Sequence, residues 1–400
     1  MAEQEKTTAW AKMPSQLQHE FMGDAEREAE KVKKSLAQKL KKLERLKKSF
    51  VTEKIPDNDD WKELRVAAVD GSNSPTTSER LGVRYGAFAA GFMIFEGNRI
   101  VDEGYRSGSY SQEQLSDRDI ARETISMLRT RLEREVALYC LQNDVDYVLI
   151  DGSFFGYGAD AFMINGKDIG VQGYNKGSEL TIDVGNKSWE LLKSGKVAGI
   201  IKRTRTSVID GWLTKMSGTT AECLNMNDKY AMTYILPPRH WFALEWLLEE
   251  KSAHHYYARF RNVFRLFVEK GRNLSIDVVW GRTKKNFERN CIRNLLKTGA
   301  LVSQSARYFV RCSANPPFQF EMFEKADPAP LLPYFLAFHN PATGLPWPID
   351  LIDANVSVPQ GFTKEFVDEV QARLLHDPDM SDKLKLMEFF SYLNPQKEEE

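Results

Sequence analysis

"RVAAVDGSNS", residues 65–74, closes an apolar run with Asp-Gly-Ser, and "YVLIDGSFFG", residues 147–156, closes a second run the same way. Short apolar runs bounded by turn formers read as buried strands. An aspartate where such a strand ends, with glycine behind it to free the turn, aims a carboxylate into the cleft at the strand's carboxyl end. The repeated motif therefore predicts two carboxylates, Asp70 and Asp151, on two strand ends.

Between the motifs, "VRYGAFAAGFMIF" at 83–95 and "NRIVDE" at 98–103 read as a hairpin. Residues 117–142 read as a helix with Ile125, Leu128, Leu132, Val136 and Tyr139 on one face. The order β-β-β-α-β is how a ribonuclease H-like fold opens. The expected class is α/β, with a ribonuclease H-like core built as a mixed sheet flanked by helices, with insertions and a long N-terminal helix. After residue 156 a glycine-rich stretch reads as a loop or insertion to about 179, followed by a helix at 186–194 and the strand "VAGIIK" at 197–202. Residues 219–236 read as helix, "HHYYARFRNVFRLFVEKGR" and "LSIDVVW" within 254–280 as strands, and 283–299 as helix. "FVRCS" and "FQFEMF" read as strands, and 363–375 and 381–392 as helices.

With 42% apolar and 28% charged residues the composition is that of a soluble globular protein. No apolar stretch approaches the roughly 20 residues of a membrane span. The first residues lack a signal peptide's apolar region, so the protein is expected to be cytoplasmic. Cys140, Cys223, Cys291 and Cys312 are too dispersed for a zinc ribbon or a disulfide framework and are expected to be reduced. The net charge of −1 hides a basic run at 31–48 with nine Lys or Arg and one Glu. Residues 24–50 read as one helix, with Val32, Leu36, Leu40, Leu43, Leu46 and Phe50 forming an apolar stripe. That stripe suits packing on the body or on a second copy; the lysines behind it suit phosphate contact. The expected organisation is a helical arm at 1–55, a catalytic domain at 60–375 with an inserted aromatic and basic segment at about 236–300, and a terminal helix with an acidic tail at 376–400.

Two aspartates on neighbouring strand ends can share divalent metal, and a two-metal site stabilises both the attacking and the leaving oxygen in phosphodiester hydrolysis. A third acid is expected from the helix before the second motif. Helical phase puts Glu135 nearer the apolar face and Glu133 at its edge, which leaves the choice open. Tyr256, Tyr257, Arg259, Phe260, Arg261, Phe264 and Arg265 are the residue types of a single-strand channel, and equally of an amphipathic surface. His254 and His255 have no local partner at metal-ligand spacing.

"VAAVDGSNS", "LRTRLEREVAL", "YVLIDGSFF", "VAGIIKRTRTS", "NDKYAMTYIL" and "GLPWPIDLIDAN" resemble, in order, the successive blocks of the NurA nucleases. The resemblance implies a ribonuclease H-like core, a requirement for Mn²⁺ or Mg²⁺ with two ions expected, and cutting of single-stranded DNA with 5′-to-3′ resection of DNA ends. It also implies a homodimer acting with a HerA-type hexameric ATPase. Position by position it puts the family's acids on Asp70, Glu133 and Asp151 and its lysine on Lys202. Apart from that carry-over, Arg203 and, from the aromatic and basic segment, Arg259 and Arg261 join Lys202 as nucleic-acid-binding candidates. The late block departs from the pattern: Leu345 and Asp353 stand where the family tends to have tyrosine and histidine. Aspartate can still ligate a hard metal, so Asp353 joins the metal candidates. Leu345 cannot replace a phenol; Trp347 reads first as a core residue and otherwise as a candidate for stacking in its stead. Two other readings compete. An actin-like ATPase or sugar kinase shares the opening topology, but would need a second Asp-Gly phosphate loop where "IIKRTRTS" has lysine; a non-catalytic adaptor would not need the acids intact.

Overall fold

A computed structural model describes residues 9–75, 77–80, 83–113, 120–204, 206–248, 253–269, 274–295 and 304–377. The chain divides into two compact units, Met1–Val51 and Thr52–Glu400. The first is dominated by one helix, α1 (Ser15–Lys47). It starts nine residues earlier than the helix expected at 24–50, and Val32, Leu36 and Leu40 on its apolar stripe are exposed.

The second unit is built on a ten-stranded mixed sheet. Its strands are β1 (Glu53–Lys54), β2 (Arg65–Asn73), β3 (Ser78–Arg80), β4 (Val83–Glu96), β5 (Arg99–Glu113), β6 (Tyr147–Asp151), β9 (Val197–Ile201), β10 (His240–Ala243), β11 (Ser305–Arg311) and β12 (Phe318–Phe323), while β7 (Asp168–Val171) and β8 (Tyr174–Lys176) form a separate hairpin. Three antiparallel strands, β2, β4 and β5, open the fold, and β6 and β9 join β2 in parallel. Parallel neighbours need crossovers, which α2 (Ala121–Leu141) and α4 (Gly177–Lys193) supply. The order β5-β4-β2-β6-β9 carries out the expected β-β-β-α-β opening, and the antiparallel strands β12, β11, β10 and β1 extend it beyond β9.

The central strand β2 is covered on both faces, which is why it reads as an unbroken apolar run. Val66 and Ala68 belong to one core with Leu149, Ala198, Ile200 and the helices α10 (Leu331–Ala337) and α11 (Trp347–Val356). Ala67 and Val69 belong to the other core, with Val148, Ile150 and residues of α2 and α4. Strand alternation then assigns the residues at the strand ends: Asp70, Asp151 and Lys202 share the parity of the α11 face, whereas Gly71 faces α2.

Several expectations needed correction. The glycine-rich stretch after 156 holds α3 (Gly158–Ile164) and the β7–β8 hairpin, with Gly166, Gly170 and Gly173 at positive φ, and α4 begins at Gly177 rather than near 186. Helix 219–236 shortens to α6 (Asp228–Ile235), preceded by α5 (Val208–Ser217), which the sequence reading missed. Following α7 (Glu245–Leu248), the two expected strands within 254–280 are α8 (His254–Glu269) and the start of α9 (Ile276–Leu295). Their aromatic content favoured strand, but Tyr256, Phe260 and Phe264 recur every four residues, and that helical period prevails over propensity. The last described helix, α12 (Phe362–His376), agrees with the expectation for 363–375, while 381–392 lies outside the described residues. No helix among the described residues is long and apolar enough to cross a membrane. Cys140, Cys223 and Cys312 are buried thiols.

Candidate metal centre

The parallel register ends at Val69↔Ile150, so the next residues, Asp70 and Asp151, stand side by side on neighbouring strands. Over the same face runs α11, which carries Asp353. Single carboxylate oxygens of Asp70, Asp151 and Asp353 all lie within 4.8 Å of one another. Lys202, just past β9, is the cation among them: its Nζ is 3.0 Å from Asp151 and 2.6 Å from Asp353.

The two Asp-Gly-Ser motifs are built differently. At the second, the strand ends on Asp151 and Gly152 turns the chain at φ +94°. At the first, β2 continues through Asn73 without a turn, so the expectation of a freed turn behind Asp70 does not hold. Gly71 serves by being small. A Cβ there would stand 3.1 Å from both Glu133 Oε2 and Arg129 Cγ, so its absence lets α2 lay those side chains over the strand next to Asp70. The serines also differ. Ser72 Oγ accepts from the Val358 amide just past α11. Ser153 Oγ donates to Glu321 of β12 at 2.6 Å.

Glu321 is one of the residues the sequence reading missed. Fully buried, it also accepts from the Phe154 amide at 2.5 Å and pairs with Arg307 at 2.8 Å, so it grips the loop that leaves Asp151. Gly199 allows this closeness, because a Cβ there would be 2.7 Å from the Gly152 carbonyl oxygen and 3.2 Å from Glu321 Cγ. Arg134 is a second: it pairs with Glu133 and donates to the Ser153 carbonyl. Asp228 and Lys229 are a third device. Asp228 accepts from the Val208 and Ile209 amides and the Thr206 hydroxyl, and Lys229 Nζ donates to the Lys202 carbonyl at 2.9 Å, which together fix the basic loop after Lys202. Arg134 lies within the quoted block "LRTRLEREVAL" and Asp228 and Lys229 within "NDKYAMTYIL", whereas Glu321 had no local signal.

Phase misjudged the two glutamates. Glu133 is buried and Glu135 is half-exposed, tied to Arg131 and Lys187. Glu133 lies beside the three aspartates without being one of the converging group. The electrostatics follow from packing four acids together. Burial, with Asp151 and Glu133 nearby, pushes the Asp70 carboxyl up to about 9. Asp151 is raised by burial in spite of Lys202, and Glu133 by burial in spite of Arg134 and Arg129. Burial works to lower Lys202, but Asp151 and Asp353 outweigh it and raise its pKa.

Of the two readings of the aromatic and basic segment, a single-strand channel and an amphipathic surface, the structure has the features of the second, an amphipathic helix. On α8, which packs against α5 and α9, Tyr256, Tyr257, Phe260 and Phe264 are buried, Arg261 is committed to Asp210 and Asn225, and Arg259 lies over the ring of Phe287 from α9. Trp347 is 39% exposed with its edge against Phe95, so it is neither fully core nor free.

The family model for the NurA domain matches residues 64–289, more than half of the chain. The chain belongs to the NurA family. As a NurA-family protein it is a nuclease, and the matched span covers Asp70, Glu133, Asp151 and Lys202 but not Asp353. The NurA nuclease from Sulfolobus solfataricus is similar in structure at 14% identity and a TM-score of 0.57, covering 92% of this chain and 99% of that one. A NurA structure bound to dAMP and manganese gives 11% identity, 92% and 99% coverage and a TM-score of 0.47. No curated protein sequence matches the chain. The all-oxygen donor set of the acidic cluster suits Mn²⁺ or Mg²⁺, and crowding that forces a carboxyl up to about 9 is what a bound cation would relieve.

Proposed function

We propose that this NurA-family nuclease hydrolyses phosphodiester bonds of DNA at the cluster of Asp70, Asp151 and Asp353, and the convergence of these three carboxylates from three elements is the observation that carries the reading. Asp70, Asp151 and Asp353, with Glu133 alongside, would hold Mn²⁺ or Mg²⁺, two ions in the full site. A divalent ion held there would supply activation of a water and charge stabilisation for the phosphodiester's oxygens. The protein's own groups do the positioning. Arg134 orients Glu133 and Glu321 holds the loop behind Asp151. Lys202, between Asp151 and Asp353, would offer its ammonium to the phosphate, with Arg203 next to it in the chain.

The wider role follows the family: a single-strand endonuclease and 5′-to-3′ exonuclease working in DNA end resection or repair, in the cytoplasm, as a homodimer with a HerA-like hexameric ATPase. The exposed apolar stripe of α1, which has surface to bury, supports an assembly partner. The direct test is labelled single-stranded DNA with Mn²⁺, Mg²⁺ or EDTA. Cleavage that requires metal is expected; ATP turnover without cleavage under any metal would favour the kinase-like alternative. Light scattering that finds a monomer at micromolar concentration, and no complex with the cognate ATPase, would remove the assembly part alone.

A further inference from the structure

Three arginines lie on α2 within residues 129–134, and two are fully committed. Arg131 pairs with Glu135 and Asp183, and Arg134 pairs with Glu133 while donating to Ser188 and to the Ser153 carbonyl. Arg129 is different. Among the described residues it forms no ion pair, its one hydrogen bond is a long 3.4 Å contact to Thr130 Oγ1, and its Nε is buried with no acceptor. A buried guanidinium nitrogen without an acceptor is costly, and a native structure keeps one where a partner is missing.

The position says what that partner is. Arg129 stands one helical turn before Glu133, a spacing suited to an ion pair, yet Glu133 is taken by Arg134. Its stem lies over Gly71, where a Cβ would be 3.1 Å from Arg129 Cγ, so it flanks the strand end that carries Asp70. It is also near enough to Asp151 and Glu133 to act on both electrostatically. Lys202, the other cation at the cluster, already has two carboxylates. Among the described residues Arg129 is therefore a cation with a buried Nε and unspent hydrogen-bonding capacity beside a site for a phosphodiester, whose two non-bridging oxygens match the guanidinium fork.

We propose that Arg129 binds a phosphate of the DNA strand at the acidic cluster, as a substrate-binding residue of the reaction. The proposal rests on the nuclease reading. Its rival is that Arg129 merely tempers the crowded acids.

The two roles differ in the salt dependence of DNA binding, which only a phosphate contact changes. The test is Arg129→Gln, with Arg129→Lys as the charge-keeping companion, in the full-length protein. kcat/KM for single-stranded DNA with Mn²⁺ is followed across a salt series, and Mn²⁺ binding to the DNA-free protein is read by electron paramagnetic resonance. Loss of a charged phosphate contact should lower kcat/KM of Arg129→Gln by about tenfold to a hundredfold. It should also make the slope of log affinity against log salt less negative by about 0.7, the value for one single-strand phosphate contact. Mn²⁺ should bind that variant as tightly as wild type or more tightly, because a nearby positive charge is gone. Arg129→Lys should lose less and keep the slope; if Arg129→Gln fails to fold by circular dichroism, a several-fold fall in kcat/KM for Arg129→Lys with unchanged Mn²⁺ binding supports the proposal. Unchanged kinetics in either folded variant, or an unchanged salt slope in Arg129→Gln whatever its Mn²⁺ affinity, overturns it. A wild-type protein that neither cuts DNA nor binds Mn²⁺ would instead overturn the nuclease reading, a separate outcome.

Discussion

The two Asp-Gly-Ser motifs look alike in sequence and behave as different parts. At Asp70 the strand runs on, the glycine admits Glu133 and Arg129 from α2, and the serine secures the exit of α11. At Asp151 the strand stops, the glycine turns the chain, and the serine is held by a buried glutamate from a strand far along the chain. The acids also differ electrically, because Asp151 has Lys202 at 3.0 Å whereas Asp70 has mainly other acids and burial. A shared motif thus fixes only where a carboxylate is presented. Its neighbours decide whether that carboxylate is comfortable when ionised.

Substituting the two aspartates should separate them. Asp70→Asn and Asp151→Asn are each expected to lower cleavage by about a thousandfold or more, since each removes a ligand charge from the metal centre. Activity of either within about tenfold of wild type would break the account. Metal-free stability should diverge, however. Asp70→Asn is expected to raise the unfolding temperature by several degrees at pH 8, by removing a carboxyl that is costly to ionise, and Asp151→Asn to raise it less, because it also strips Lys202 of a partner. Thermal denaturation in EDTA checks both.

The glycines come next. Gly71→Ala would press its Cβ toward Glu133 and Arg129 and is expected to cut kcat by about tenfold to a hundredfold through their displacement. Gly152→Ala meets nothing within 4 Å but places a side chain at φ +94°, so its main effect is expected on stability, about 1–2 kcal/mol. Equal kinetic losses in the two variants would mean that the glycines have the same task.

Asp353, 54% exposed at its side chain, tests the face opposite α2. Asp353→Ala is expected to raise the metal concentration for half-maximal cleavage, and Asp353→His to restore activity preferentially with Mn²⁺, which accepts imidazole more readily than Mg²⁺ does. A metal titration of Asp353→Ala that overlays wild type would reduce the centre to Asp70, Asp151 and Glu133.

The mildest effect is on pH. Asp70 is raised from an ordinary value of 3.8 to about 9, so between those values the folded metal-free protein binds more protons than the unfolded chain. Stability of the metal-free protein should therefore fall as pH rises through that window, and saturating Mg²⁺ should flatten the decline. A metal-free protein that becomes steadily more stable from pH 5 to pH 9 would contradict the environment assigned to Asp70.

Local features were legible in the sequence, and long-range ones were not. The apolar runs ending in Asp70 and Asp151 gave the central strands, because burial on both faces leaves a continuous signature. Resemblance of "GLPWPIDLIDAN" to a family block was needed to bring in Asp353, since nothing in an isolated acid says which sheet face its helix will cross. Glu321 could not be found, because its role depends on β12 lying next to β9. Glu133 was misplaced by helical phase for a related reason: Gly71 opens room for a polar side chain on an otherwise apolar face. In α8 the error lay in the reading, where aromatic strand propensity was allowed to outweigh a helical period already present.

The central claim is that the carboxylates gathered by two unlike motifs and α11 form one metal centre that cuts DNA. Mn²⁺ binding by electron paramagnetic resonance, measured on wild type and on the Asp70→Asn/Asp151→Asn double variant beside cleavage of the same single-stranded DNA, tests it most directly. The account predicts that wild type binds Mn²⁺ at least about tenfold more tightly than the double variant, and that only wild type cleaves. Equal Mn²⁺ binding by the two proteins, or cleavage by the folded double variant, would contradict it.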